Sequence, residues 1–255
     1  MKTTLPVNQV PTLLKLELSG QGVAWVVVLD PTQPNTHYFR RSVTLRGGKR
    51  TLIVPLPVTP RLLELEVFQD PSHPAARVQA RLTEVKPMPP QTVWADPVQH
   101  RFMEFAIDFA RKAGYVPAGF YPSPTGEFLI QYLPTIRDQA GEELVTPARI
   151  HQLMPRVQLS RKQFRGMSIP RRVKILSHEY CHFLHNTRSE TEADKCGIDY
   201  YVQYGFPRVE GVYSLTKVFR QNPDSLGPLH TQRVAEVMRT LDQYPNRFQN
   251  AFRHA

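Results

Sequence analysis

Apolar and polar residues alternate through the first third of the chain. Leu14-Lys15-Leu16-Glu17-Leu18, Leu63-Glu64-Leu65-Glu66-Val67 and Val78-Gln79-Ala80-Arg81-Leu82 repeat every two positions, the period of a half-buried β-strand. Trp25-Val26-Val27-Val28-Leu29 reads as a buried strand, and Tyr38 to Leu45 and Thr51 to Leu56 as further strands. Ser19-Gly20, Asp30-Pro31, Gly47-Gly48 and Asp70-Pro71 are turn signals between them. Short strands at this spacing predict an antiparallel β-sandwich over residues 1–88. No catalytic constellation falls within it, so it is expected to be an accessory or docking module whose partner the sequence does not name.

The proline-rich stretch Lys86-Pro87-Met88-Pro89-Pro90 marks the boundary, with a stiff linker over residues 89–95. Beyond it the period changes. Asp96-Pro97 caps a helix with Phe102, Phe105, Ala106 and Phe109 inside, ending at Gly114. Glu127 to Leu133 and Arg156 to Ser160 read as strands. After residue 189 the chain reads as mostly helical, with breaks at Gly205-Phe206-Pro207 and Asn222-Pro223. Residues 96–255 are therefore expected to form an α+β domain, mostly helical at its C-terminal end.

The chemistry is concentrated in His178-Glu179-Tyr180-Cys181-His182, an H-E-x-x-H motif. Val173, Leu176, Tyr180 and Phe183 form an apolar stripe at helical spacing, and Ser168 and Pro170 supply a helix start. Residues four apart share a helix face, so His178 and His182 can offer two imidazoles to one metal ion. Glu179 is one position round, where its carboxylate reaches a water on the metal but not the metal. Two solvated histidines on a surface helix is the plain alternative, and the apolar stripe argues against it.

Catalytic zinc takes three protein ligands plus water. His185 lies seven residues beyond His178, roughly 10 Å along the axis, too far to join the other two histidines. Ser189 with Glu192 is a capping-box pattern opening a second helix. That leaves Glu190 for the metal, with Asp194, four residues on, holding the far nitrogen of a histidine. An exchange of Glu190 and Asp194 is the alternative. For the oxyanion of a tetrahedral intermediate, His230 or Arg233 at the start of the last helix is the candidate, with Tyr200 and Tyr201 behind. That helix has Val234, Val237, Met238 and Leu241 as its apolar face.

An H-E-x-x-H helix followed by a helix carrying E-x-x-x-D resembles the gluzincin class of metallopeptidases. Glu190-Thr191-Glu192-Ala193-Asp194 is similar in wording to the heat-shock and CaaX-processing membrane peptidases. The short gap is similar to the ImmA/IrrE group, which usually has Asn where this chain has Asp194. The resemblance is tightest over residues 171–205. It implies a zincin-like fold, whose small sheet lines the cleft with its edge strand, here expected at Arg156 to Ser160 just upstream of the motif helix, one zinc ion per chain, and hydrolysis of peptide bonds in a protein or peptide substrate. It carries over to His178, Glu179, His182, Glu190 and Asp194. Only seven residues separate His182 from Glu190, fewer than in most gluzincins.

Composition adjusts this picture at the margins. Hydrophobic residues make up 41% of 255, enough for a globular core, and no run of about 18 apolar residues suggests a membrane span. The N-terminus lacks an apolar signal-peptide core, so the expected location is the cytoplasm, or a phage-like particle assembled there. Cys181 and Cys196, the two cysteines, are then expected to be reduced and buried. The formal charge is +10, with basic clusters at Arg40-Arg41, Arg46, Lys49-Arg50 and at Arg161-Lys162, Arg165, Arg171-Arg172-Lys174. The charge hints at an anionic surface or nucleic acid as partner. Two rivals to the peptidase reading follow: a structural protein of a larger assembly retaining a zincin fold, and a DNA-associated metalloprotease.

Overall fold

The structure is a computed structural model describing residues 1–72, 77–91, 93–151, 153–212 and 227–244. The chain divides into two compact units. The first holds Met1–Gln91 and Gly205–Pro207, the second Thr92–Tyr204 and Arg208–Pro245.

The first unit is antiparallel throughout, with strands β1 (Lys2–Pro6), β2 (Thr12–Asp30), β3 (Gln33–Leu56), β4 (Leu62–Gln69) and β5 (Arg77–Pro87). β2 and β3 form one long hairpin, in register from Asp30↔Gln33 down to Thr12↔Leu56. Along its other side β2 pairs first with β5 and then with β4, and β1 adds to β4. One connected five-stranded sheet thus stands where two facing sheets are expected. The reason lies in two glycine signals. Ser19-Gly20 and Gly47-Gly48 do not reverse the chain; they form a bulge across which pairing resumes at Gln21↔Arg46. Gly20 has φ +116°, and a Cβ there would lie 1.8 Å from the Arg77 carbonyl oxygen. Only glycine allows β5 to lie this close. The alternation sorts the faces as expected. Leu14, Leu16, Leu18, Ala24, Val26 and Val28 are fully buried, and each large side chain among them contributes roughly 1.5–3 kcal/mol.

The second unit contains helices α1 (Pro97–Lys112), α2 (Arg161–Phe164), α3 (Ile169–Leu184), α4 (Glu190–Gln203) and α5 (Pro228–Asp242). Its strands are β6 (Gly119–Pro122), β7 (Leu129–Leu133), β8 (Ala148–Ile150) and β9 (Arg156–Ser160). Asp96 caps α1 through the backbone N–H groups of Val98 and Gln99, and Gln99 answers by accepting the Asp96 N–H. The strand order is β6-β7-β9-β8, with β7 and β9 parallel and the other pairs antiparallel. The sequence suggests Arg156–Ser160 as a free edge beside the motif helix. It is instead an inner strand, and short β8, which has no clear alternation to announce it, is the edge.

α3 is buried along nearly its whole length. Tyr180 stacks on Phe102 of α1 with ring centroids 3.9 Å apart, and Phe128 meets both rings edge-on. The basic run that opens α3 is also buried. Arg172 is fully enclosed and donates to the carbonyls of Ala110 (2.6 Å), Phe164 (3.2 Å) and Arg165 (2.6 Å). Burial pushes its guanidinium pKa down to about 10. Arg171, Arg172 and Lys174 therefore belong to the interior and offer no anion-binding surface. In α5 the inward stripe is Arg233, Val237 and Leu241, while Met238 is half exposed. The break read at Asn222-Pro223 lies outside the described residues. Among the described residues no helix is long and apolar enough to cross a membrane.

Candidate metal centre

The spacing of four that pairs His178 with His182 is realised on α3. Their Nε2 atoms lie 3.2 Å apart, with the rings nearly perpendicular. α3 ends at His185, and Asn186 takes the left-handed conformation (φ +44°) that lets the chain reverse within a few residues. Ser189 then caps α4, its hydroxyl accepting the Glu192 N–H at 3.3 Å. Only half of the expected capping box forms. The Glu192 carboxylate instead accepts the Thr187 hydroxyl, and Thr187 also takes the Ser189 N–H. The Thr187 carbonyl lies 2.9 Å from His182 Nδ1. The tight turn thus holds one histidine from behind.

The same turn delivers Glu190 to the histidines. Its Oε2 is 3.4 Å from His178 Nε2 and its Oε1 is 3.5 Å from His182 Nε2. Asp194, one turn along α4, lies behind the ring, its Oδ1 2.8 Å from His178 Nδ1 on a bent approach. Asp194 is also reached by Arg233 Nε of α5 at 2.8 Å and by Lys174 Nζ at 3.6 Å. Arg233 extends its other nitrogen to Glu190 Oε2, again at 2.8 Å.

Two residues at this site escape sequence reasoning. Lys174 is one turn before His178 on the same face, and that spacing was the available signal. Gly197 is the second. A Cβ there would lie 2.8 Å from both the Cα and the N of His178. Ser177 donates its hydroxyl to the Gly197 carbonyl at the same crossing, at 2.9 Å. Next to it Cys181 and Cys196 form a disulfide between α3 and α4, Cα atoms 5.9 Å apart. This corrects the expectation of reduced thiols. The close approach at Gly197 brings the facing cysteines within bonding reach.

The electrostatics follow from the packing. His178 and His182 hold the Glu190 carboxyl well below the usual range, with help from Arg233. Burial alone would raise Asp194, but His178, Lys174 and Arg233 overcome it and hold its carboxyl low. Burial pulls His178 down, yet Asp194 and Glu190 prevail and push it up to about 9. Glu179 is 9% exposed, and desolvation raises its pKa. The nearby backbone of Ile150 on β8 opposes that rise in part. Metal ligation requires the histidines to be neutral; Glu179, Glu190 and Asp194 then face Lys174 and Arg233, leaving one surplus negative charge.

A zinc ion fits the three converging donors. Two atoms each about 2.0–2.1 Å from zinc at the tetrahedral angle are roughly 3.3 Å apart. His178 Nε2 and His182 Nε2 are 3.2 Å apart, and Glu190 meets them through different oxygens, Oε2 at 3.4 Å and Oε1 at 3.5 Å; one donor atom from each residue lies within 4.8 Å of the others. The far imidazole nitrogens already face Asp194 and the Thr187 carbonyl, which leaves both Nε2 atoms for a cation. Of the proposed oxyanion groups, Arg233 joins the cluster through its carboxylates. His230 sits at the start of α5, where its Nδ1 accepts the Gly227 N–H at 3.1 Å. Tyr200 and Tyr201 are buried. No protein-family model, curated protein or solved structure matches the chain.

Proposed function

We propose that this protein is a zinc-dependent metallopeptidase, one zinc ion per chain, with His178, His182 and Glu190 as ligands. The observation carrying the proposal is the convergence of both imidazole Nε2 atoms and the Glu190 carboxylate, one donor atom from each within 4.8 Å of the others, beside a buried carboxylate on the same helix turn. Zinc bound there supplies Lewis acidity toward a water and a carbonyl. The remaining chemistry falls to the chain. Glu179 takes the proton of the attacking water and hands it to the leaving amine. Burial raises its pKa above that of a free carboxyl, which makes it a better proton acceptor. Asp194 fixes the His178 ring, and Arg233 and Lys174 hold Asp194 charged.

β8 offers a place for an extended substrate. Pro147 and His151 turn their backbone groups to β9, so Ala148 and Ile150 turn theirs outward. A peptide lying along this edge would pair with the outward backbone groups of Ala148 and Ile150. Glu179→Gln keeps the shape and removes the base. It is expected to retain zinc while cleavage of a peptide library falls at least roughly a hundredfold. Undiminished zinc-dependent cleavage by Glu179→Gln would remove Glu179 from the mechanism. No cleavage by wild type that holds zinc would favour a structural protein retaining the site.

A further inference from the structure

The buried basic run on α3 leaves the chain's positive charge to be found elsewhere, and the register of the first unit shows where it gathers. On β2 the outward positions are Glu17, Ser19, Gln21, Val23 and Trp25, between core residues Leu16, Leu18 and Ala24. β3 sets Arg46 opposite Gln21 and Lys49 opposite Ser19. From the other side β5 sets Arg77 opposite Gln21 and Arg81 opposite Glu17. All four cations are exposed. Ion pairs of this unit engage Lys2, Lys15 and Lys86 at the two ends of the sheet. Among the described residues none of these four is paired with a carboxylate. Glu17 is the acid among these four cations; at the far end of the face Asp70 accepts the Trp25 Nε1–H at 3.0 Å, and Glu66 is opposite Val27. Further along the same face Phe68 of β4 stands directly opposite Trp25 and is 43% exposed, and Arg40 lies over the Trp25 ring at 5.5 Å.

We propose that this outward sheet face binds single-stranded nucleic acid through its phosphate backbone. Arg46 and Lys49 face β2 positions two residues apart, roughly 7 Å, Arg77 and Arg81 are four residues apart, roughly 13 Å, and the two pairs flank β2 with about 10 Å between their strands, so the patch is a spaced array of charge that a continuous polyanion can follow. The side chains between the cations, Ser19, Gln21 and Gln79, are hydrogen-bonding and uncharged. A lipid surface would call for apolar side chains among the cations, and the patch has none between them. Phe68 and the Arg40–Trp25 pair supply a stacking platform at one end, the feature that separates a nucleic acid from an acidic protein. The inference is independent of the metal centre.

The test is fluorescence anisotropy of a labelled 20-nucleotide oligothymidylate with the full chain between 50 and 300 mM KCl. Saturable binding is expected at 50 mM, with a log–log salt slope of about −3 for four neutralised phosphates on a single strand. Replacing Arg46, Lys49, Arg77 and Arg81 together by Gln should weaken binding at least about thirtyfold and flatten the slope. Phe68→Ala should weaken it at least about fivefold. Replacing Lys112, Arg137, Lys162 and Arg239 by Gln removes the same charge elsewhere and should change binding less than about threefold. Circular dichroism confirms that each variant folds. Equal loss in the two quadruple variants, tighter binding to phosphatidylserine vesicles, or no saturable binding at 50 mM KCl would overturn the proposal.

Discussion

His178, Glu190 and Asp194 carry the residue-scale argument, because each carboxylate addresses a different nitrogen of the same ring. Glu190 meets His178 Nε2, the nitrogen shared with His182, whereas Asp194 meets Nδ1 on the far side. This geometry favours Glu190 as the third ligand and Asp194 as the residue that orients the ring. Glu190→Ala should then cost most of the zinc affinity. Asp194→Asn keeps a hydrogen-bonding partner and should cost roughly 10–100-fold, the scale of losing a residue that supports a ligand. Glu192→Ala, which removes only the contact to Thr187 and an acidic helix start, should cost less than either. Competition with a chromogenic chelator ranks the three. If Asp194→Asn strips the metal while Glu190→Ala keeps it, the two carboxylates have exchanged roles.

Among the elements, the crossing of α3 and α4 decides whether the donors meet at all. Gly197→Ala places a methyl against backbone that cannot swing aside. It should destabilise the fold by about 1–3 kcal/mol and weaken zinc binding, read by denaturant titration with and without metal. An unchanged midpoint would show that the helices are not held this closely. Much at this scale was legible in the sequence. The motif helix, its Ser168 start, the Ser189 start of α4 and the Asp96 cap all follow from local residue chemistry. The continuity of β2 through Gly20 was not legible, because a glycine marks a turn or a bulge with the same letter. Nor was the edge position of β8, a matter of pairing between distant segments. Lys174 and Arg172 read as surface charge because sequence shows a charge but not the carboxylate or carbonyls that enclose it.

On the scale of the whole molecule, the basic residues behind the +10 charge serve different ends. One group is buried around α3 and serves the fold, another is exposed on the first unit's sheet, and others are scattered over the surface of the second unit. The disulfide also bears on the setting. Disulfides persist in oxidising surroundings and are rare in a reducing cytoplasm, so the Cys181–Cys196 bond argues against the cytoplasmic location expected from the N-terminus. Reduction of the 15-residue loop it closes should lower stability by about 3 kcal/mol in the chain-entropy description. A denaturant midpoint unmoved by reductant would mean that the purified protein carries free thiols. The central claim is an open zinc centre built from two helices, and X-ray absorption at the zinc edge of the purified protein tests it most directly. The account predicts about one zinc per chain, with two imidazole nitrogens at about 2.0–2.1 Å, one carboxylate oxygen and one solvent oxygen. Four protein ligands with no solvent oxygen, a sulfur ligand, or no bound zinc would contradict it.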